Sequence, residues 1–135
     1  MSRYILDTNL IIRFLAQDHP TMSKAAGGLF KEAAAGHTEL VLEATIVAEA
    51  IFVLTSFYKK ERTMVADALR ELIEGCRLRV TQREAVLNAL DLFKSYNIDF
   101  PDALLAALAA GGEISIASFD RDFDRIPGIA RHEPV

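Results

Sequence analysis

The chain has 135 residues, of which 51% are hydrophobic and 25% are charged, a composition typical of one globular domain and not of a disordered chain. Its single cysteine excludes an internal disulfide and any multi-cysteine zinc or iron–sulfur site. Charges interrupt every apolar run well before the roughly 18 residues of a membrane span, and Asp7 interrupts the N-terminus too early for a signal peptide. We therefore expect a single cytoplasmic domain over residues 1–135, with no membrane association.

The formal net charge of −4 argues against a general polyanion binder, because contacts to phosphate groups need Lys and Arg. The simplest interpretation of the charge alone is an acidic protein with no nucleic-acid ligand. A nucleic-acid substrate would require bound cations or local basic residues to overcome this charge.

Hydrophobic spacing in the first part of the chain predicts two strands and two helices in alternation with turn residues. They are a buried strand over Tyr4–Leu6, a helix over Thr8–Ala16, a helix over Thr21–Ala35 that ends at Gly36, and a strand over Leu40–Leu42. Gly36 suits the left-handed position that follows many helices.

The segment Ala44–Tyr58 is apolar on nearly every face of its predicted helix. Such a helix is buried in the core or shared between the core and a partner. A charged turn follows, and an amphipathic helix then runs from Met64 to Gly75. Two explanations account for both segments equally well: both helices are buried in the core, or part of their surface is buried against a partner.

The rest of the chain repeats the alternation of short strands and longer helices. The predicted elements are a strand over Leu78–Val80, a helix opened by a capping box of Thr81 and Glu84, a helix over Pro101–Ala110, and a strand over Ile114–Ala117. This order predicts an α/β fold, with a parallel sheet and helices on both of its faces. Sheets of this kind bind ligands at the carboxyl ends of their strands.

Four carboxylates lie where core packing alone would not place them. Asp7 ends the first strand, Glu49 lies inside the apolar helix, Asp102 lies in the first turn of a helix, and Asp120 follows the last strand. Each has an ordinary explanation: helix caps for Asp7 and Asp102, and a solvated turn for Asp120. Glu49 is the hardest to explain in this way, because a buried carboxylate needs a partner charge, a metal or water.

The four carboxylates together favour a site for a divalent cation. Several carboxylates in one crevice would repel one another unless a cation were present, and without these four the chain would carry no net charge. The three histidines, His19, His37 and His132, are scattered along the sequence and predicted to be exposed. Oxygen ligands alone select Mg²⁺ or Mn²⁺, the usual partners of phosphate chemistry.

Four segments in this order resemble the motifs of the PIN domain, and in particular the VapC-type toxins of toxin–antitoxin pairs. They are Asp7-Thr8-Asn9, the segment from Thr45 to Glu49, the segment from Asp99 to Leu108, and the segment from Ser118 to Phe123. The resemblance covers nearly the whole chain. It implies a three-layer sandwich with a parallel sheet of about five strands, and a Mg²⁺- or Mn²⁺-dependent endoribonuclease that hydrolyses RNA with a metal-activated water.

The resemblance also implies roles for individual residues. Asp7 and Asp102 would hold the first metal, and Glu49 and Asp120 would complete or share its ligands. Asn9 would orient Asp7, Ser118 stands where the last motif has Thr or Ser, and Asp99 is either accessory or a loop residue. Candidate phosphate contacts are Arg13, Lys59, Lys60, Arg62, Arg121 and Arg125, each of which could equally be a solvated surface charge.

Toxins of this type imply a homodimer and a cognate antitoxin that covers part of the apolar helices. The main alternative is a PIN-like scaffold that binds RNA or protein without catalysis, although all four acidic positions are filled. A haloacid-dehalogenase-type phosphatase also begins with a strand and an Asp, but it needs a second Asp where this chain has Asn9. The RNA that is cut, the number of metal ions and the subunit count are not encoded in any motif.

Overall fold

The computed structural model describes residues 1–135, which divide into two compact units, Met1–Arg83 and Glu84–Val135. All five strands of the chain pair in parallel, in one sheet of three strands and one of two. Helices connect the paired strands, as parallel pairing requires. The predicted α/β fold with parallel strands is therefore confirmed. No helix has the length and apolar character needed to cross a membrane.

The first unit contains the three-stranded sheet, in the order β1-β2-β3. Its elements are β1 (Ser2–Ile5), α1 (Thr8–Ala16), α2 (Pro20–Ala34), β2 (Thr38–Leu42), α3 (Ala44–Phe52), a π-helix (Val53–Phe57), α4 (Arg62–Gly75) and β3 (Arg79–Val80). The core of this unit consists mainly of aliphatic side chains from the sheet and from the helices, together with the ring of Phe30. Leu40, Val47 and Leu69 are completely inaccessible to solvent. Each such side chain contributes roughly 1.5–3 kcal/mol through burial.

The end of α2 shows how a sequence signal determines a local structure. Gly36 has a φ of 82°, and its amide donates to the carbonyl of Ala33, while the His37 amide donates to the carbonyl of Glu32. These two hydrogen bonds form a Schellman motif, which satisfies carbonyls left free at the helix end. The predicted role of Gly36 is confirmed, and the motif directs the chain into β2.

The strand β1 corrects one prediction. The segment Tyr4–Leu6 was expected to be buried, but Tyr4 and Ile5 are 50% and 68% exposed, and only Leu6 is buried. The reason is that β1 stands at the end of the order of its sheet and pairs with β2 alone. A strand in this position has one free edge and fewer neighbours to cover its side chains.

The capping box predicted for Thr81 and Glu84 is also absent. The Thr81 hydroxyl donates to a carboxylate oxygen of Glu43 at 2.9 Å and accepts from the amide of Ala44 at 3.2 Å. Thr81 therefore stabilises the N-terminus of α3, which follows the neighbouring strand β2, and does not cap the helix that follows it in sequence.

The second unit contains the two-stranded sheet. Its elements are α5 (Arg83–Ser95), α6 (Phe100–Ala109), β4 (Ile116–Ala117), a 3₁₀ helix (Arg121–Arg125) and β5 (Arg131–His132). Phe93 of α5 and Phe100 of α6 pack edge to face with 6.4 Å between the ring centres. The strand expected over Ile114–Ala117 is shorter than predicted, and it pairs with β5, a strand that the sequence did not predict.

Candidate active site

A cavity of about 470 Å³ lies at the carboxyl end of the first unit's sheet. The register pairs Ile5 of β1 with Val41 of β2, so these two strands end side by side, and α1 and α3 begin at the same edge of the sheet. The side chains on the cavity wall include two acidic residues that are 42 positions apart in sequence, Asp7 and Glu49, and also Thr8, Asn9 and Arg13. The sheet topology therefore brings together two of the four predicted carboxylates.

Asp7 occupies the N-cap position of α1, where an Asp side chain commonly accepts hydrogen bonds from the first turn of the helix. Its side chain makes no capping hydrogen bond and is exposed. The ordinary explanation of Asp7 as a helix cap therefore does not account for its carboxylate. Asn9 follows on the same cavity wall, and its role in orienting Asp7 stays a prediction.

The structure corrects the reason for which Glu49 was chosen from the sequence. It was expected to be buried among apolar neighbours, but it is exposed, and the residues on the buried side of α3 are Val47, Ala50 and Ile51. The helix turns its one acidic side chain toward the cavity, so the carboxylate is hydrated and has no desolvation penalty to offset. The position of Glu49 on the cavity wall, and not its burial, makes it a candidate ligand.

Thr8 is a feature of this cavity that the sequence did not single out for its own chemistry. Its side chain is only 7% exposed, and its hydroxyl oxygen has no hydrogen-bond partner. An unpaired buried hydroxyl is costly, and such groups occur where a ligand or an ion satisfies them. The only advance signal was the position of Thr8 between Asp7 and Asn9.

Arg13 also lines this cavity, but its guanidinium already has protein partners. Its Nη1 donates to both carboxylate oxygens of Asp18, at 3.0 and 3.1 Å, and the Tyr58 hydroxyl donates to Asp18 at 2.7 Å. The hydrogen bond from Tyr58, followed by those from Arg13, lowers the pKa of the Asp18 carboxyl. Arg13 was predicted to contact phosphate, and the structure shows a competing role within this cluster.

The second unit holds the other two predicted carboxylates. Asp102 lies in the first turn of α6, and Asp99 occupies the N-cap position without a capping side-chain bond. Burial raises the pKa of the Asp102 carboxyl above its ordinary value. Nearby negative charges raise it further, in order of effect those of Asp120, Asp99 and Asp122. The aspartates of this unit therefore repel one another, which is the condition that a bound cation relieves.

Asp120 uses part of its carboxylate in a hydrogen bond with the backbone. One of its carboxylate oxygens accepts from the Asp122 amide at 2.9 Å at the start of the 3₁₀ helix. Ser118 supports the same turn, because its hydroxyl accepts from the Asp120 amide at 2.9 Å. This contact is consistent with a positioning role for Ser118. Arg121, the other predicted RNA contact, is exposed in the same 3₁₀ helix.

The donor chemistry fits a hard divalent cation. Carboxylate oxygens are ligands that Mg²⁺ and Mn²⁺ prefer, and those of Asp7 and Glu49 lie on this cavity wall. Thr8, whose buried hydroxyl has no partner, lines the same cavity. No three acidic, histidine or cysteine side chains stand together as a metal-binding group. The structure brings Asp7 and Glu49 to one cavity and places Asp102 near Asp120, so a single ion shared by all four carboxylates stays a prediction.

Comparison with known proteins adds one finding. Residues 4–129 match the family model of the PIN domain. The matched range includes the four acidic positions Asp7, Glu49, Asp102 and Asp120. No curated protein matches the chain.

Proposed function

This chain belongs to the PIN domain family, and on that premise we propose that it is an endoribonuclease that uses Mg²⁺ or Mn²⁺ to hydrolyse RNA. PIN domains are generally nucleases, so a hydrolase acting on nucleic acid is the general activity of the family. RNA as the substrate, internal cleavage and dependence on a divalent cation are the specific parts of the proposal.

The observation that carries the proposal is the cavity shared by Asp7 and Glu49. Neither carboxylate is explained by the packing of the fold, because Asp7 does not cap its helix and Glu49 is not buried. Thr8, whose buried hydroxyl has no partner, lines the same cavity. Uncommitted oxygen donors at the carboxyl ends of parallel strands are typical of a ligand site.

A divalent cation, when bound, would supply Lewis-acid chemistry to the proposed reaction: it would polarise a phosphoryl oxygen and lower the pKa of an attacking water. Asp7 and Glu49 would hold this cation at the cavity wall, and Asn9 would orient Asp7. Asp102 and Asp120 are proposed as further ligands because of their positions in the family motifs, with Ser118 fixing the turn at Asp120 and Asp99 accessory. The carboxylates of Asp7 and Glu49 on one cavity wall would repel an RNA phosphate, so a cation would have to bind before the phosphate approaches.

We further propose that the chain is the toxin of a VapC-type pair, acting as a homodimer that a cognate antitoxin inhibits. The support is the order of the four motifs and an apolar groove between α1 and α4, lined by side chains that include Phe14, Leu15 and Leu72. A groove of this kind suits the apolar face of a partner helix. A short reading frame directly upstream that encodes a DNA-binding protein would support this pairing, and an isolated gene would count against it.

The direct test is cleavage of RNA by the purified protein with Mg²⁺, with Mn²⁺ and with excess EDTA. We expect cutting only with metal, and at least about a 100-fold lower rate for Asp7→Asn and Glu49→Gln, since loss of even an outer partner of a metal ligand costs 10–100-fold. Glu74→Gln, which removes a carboxylate of α4, is the matched control. Cleavage in EDTA would contradict the metal mechanism, and RNA binding without any cleavage would favour the non-catalytic scaffold.

A further inference from the structure

Two large aromatic side chains beside the acidic cavity are left in water. Phe52 and Phe57 are 68% and 77% exposed, and both line the cavity that contains Asp7 and Glu49. An aromatic ring in solvent forgoes the stabilisation that burial would bring. Neighbouring exposed apolar groups beside polar ones are typical of a binding surface.

The π-helix explains why these two rings share one cavity. In an α-helix each residue turns by about 100°, so residues five apart would lie about 140° apart around the axis. The wider turn of Val53–Phe57, closed by the Tyr58 amide donating to the Val53 carbonyl at 3.1 Å, brings the fifth residue back toward the same face. The Thr55 hydroxyl also donates to the Ile51 carbonyl at 2.7 Å, a contact that often bends helices.

The exposed ring of Phe57 is also held in place. It packs edge to face on Tyr58, with 5.3 Å between ring centres and 70° between ring planes. Tyr58 is fixed in turn by its hydrogen bond to Asp18. A ring that is ordered before a ligand arrives loses less conformational entropy on binding. The surface is therefore prepared for a flat ligand.

The charges of the cavity determine which part of a nucleic acid this surface suits. Arg13 is the single basic side chain on the cavity wall. Its charge is paired with Asp18 through Nη1, and its Nε, which has no hydrogen-bond partner, is buried. Phosphate groups therefore gain little from protein cations here. A nucleobase is neutral and flat, and stacking on aromatic rings is the usual way that proteins bind unpaired bases.

We propose that Phe52 and Phe57 form a stacking surface for an unpaired base of the strand that the neighbouring carboxylates cleave. This inference rests on the proposed nuclease function and names two residues that would position its substrate. Bases within a duplex are stacked on one another and cannot reach such a surface. The aromatic pair would thus hold one unpaired base beside the carboxylates.

A protein partner is the competing occupant of these rings, and the charges beside them argue against it. The first unit has an apolar groove elsewhere, between α1 and α4. The carboxylates on the cavity wall also disfavour an apolar partner, since its approach would remove their water.

The test measures RNA binding apart from cleavage. All proteins carry Asp102→Asn to prevent cutting, and the affinity for a fluorescently labelled single-stranded RNA is measured by anisotropy, with the same RNA annealed to its complement for comparison. Phe52→Leu and Phe57→Leu keep apolar area but remove the aromatic face, and Phe57→Trp retains it. Met22→Ala, which shortens an exposed apolar side chain of α2, is the control.

We expect each Leu variant to bind the single strand about 5- to 150-fold more weakly, the range measured for loss of a stacked base. Phe57→Trp and Met22→Ala should bind like the parent, and the slope of affinity against salt should not change, because no phosphate contact is lost. Equal binding by the parent and the Leu variants would overturn the proposal and would favour an apolar protein partner as the ligand of the two rings. A parallel loss of duplex binding would also overturn it.

Failure of this inference can be told apart from failure of the proposed function. If the protein with Asp102 intact cuts RNA with metal while Phe52→Leu and Phe57→Leu bind and cut normally, the nuclease stands and the stacking surface is wrong. If it cuts no RNA but the Leu variants still lose single-strand binding, the stacking surface stands and the nuclease function is wrong.

Discussion

Asp7 and Asp120 both occupy the N-cap position of a helix, but only Asp120 uses its carboxylate there. Asp120 accepts a hydrogen bond from the Asp122 amide, whereas the Asp7 side chain bonds to no backbone amide of α1. A cap bond contributes about 1 kcal/mol, so its absence at Asp7 forgoes local stability. The comparison teaches that the same residue in the same local position can serve the fold in one unit and remain available to a ligand in the other.

The comparison extends to the charges around each residue. Asp7 faces a cavity that is also lined by Glu49 and by Thr8, whose buried hydroxyl has no partner. In the second unit, Asp120 belongs to a group of aspartates whose mutual repulsion helps to raise the pKa of Asp102. The first unit thus offers uncommitted donors, and the second offers a concentration of negative charge. Both conditions favour cation binding. The uncommitted donors are tested by melts with and without metal, and the concentration of negative charge is tested by melts over a range of pH.

The largest expected effect is stabilisation by metal. Binding of Mg²⁺ or Mn²⁺ to the folded state alone, at 100 times its dissociation constant, adds about 2.7 kcal/mol to the free energy of unfolding, which raises Tm by roughly 5–11 °C. We expect Asp7→Asn to abolish this gain. Asp120→Asn should reduce it less, because one Asp120 oxygen already serves as a cap. Thermal melts with and without metal measure both effects.

Glu74→Gln is the control for the loss of one negative charge. It removes a salt bridge to Arg70 within α4, which contributes only a few tenths of a kcal/mol (about 0.2–0.5), so its gain in Tm from metal should match that of the wild type. An equal gain in Asp7→Asn and in the wild type would show that the uncommitted carboxylate is not a ligand. The comparison between the two N-cap aspartates would then have no functional meaning.

A smaller effect is expected at Asp102 without metal. Because its pKa is raised in the folded protein, the folded state binds this proton more tightly than the unfolded chain does. The resulting stability is complete below the ordinary pKa of an aspartate and is lost as pH rises through the raised value. At pH 7 the ionised side chain therefore destabilises the fold, and Asp102→Asn should raise Tm by roughly 1–3 °C.

Melts over a range of pH test this assignment. The gain from Asp102→Asn should disappear in acid, where the native carboxyl is protonated, and Glu113→Gln in the same unit should show no comparable gain. A lower Tm for Asp102→Asn at pH 7 would mean that Asp102 stabilises the start of α6, and repulsion among the aspartates would not describe this unit.

The sequence predicted the elements whose signals are local. The spacing of apolar residues located α1 and α6 nearly to the residue, and Gly36 ended α2 through its left-handed conformation. The exposure of all three histidines is confirmed as well. These features depend on residues within one helical turn of each other, so a single chain segment contains the information.

Features that depend on distant neighbours could not be predicted in the same way. Tyr4 and Ile5 form an apolar run whether or not another strand covers them, and the order of the sheet decides their burial. Thr81 has the spacing of a capping box, but its hydroxyl bonds to Glu43, 38 positions away. Phe57 lies in a segment predicted as one continuous helix, but the π-helix interrupts that helix, and Phe57 lines the cavity. A wider turn of the backbone has only weak sequence signals.

The smallest expected effect is that of Glu39→Gln. It distinguishes Glu39, a carboxylate that stabilises the fold, from Asp7, a carboxylate proposed to bind a cation. Glu39 of β2 accepts hydrogen bonds from Arg3 of β1 and Arg79 of β3. These bonds, with that from Arg3 the larger, hold the pKa of Glu39 below its ordinary value. Its contribution to stability is therefore present above the ordinary pKa of a glutamate and is lost as pH falls through the lowered value.

Glu39→Gln should lower Tm slightly at pH 7 and low salt, because it removes the negative charge between two arginines. Salt screens exposed charges, so the difference from the wild type should shrink in concentrated NaCl as well as in acid. The gain in Tm from Mg²⁺ should stay intact, in contrast to its loss in Asp7→Asn. If Glu39→Gln also lost the gain from Mg²⁺, metal stabilisation would reflect overall charge, and no cation site at Asp7 would be needed to explain it.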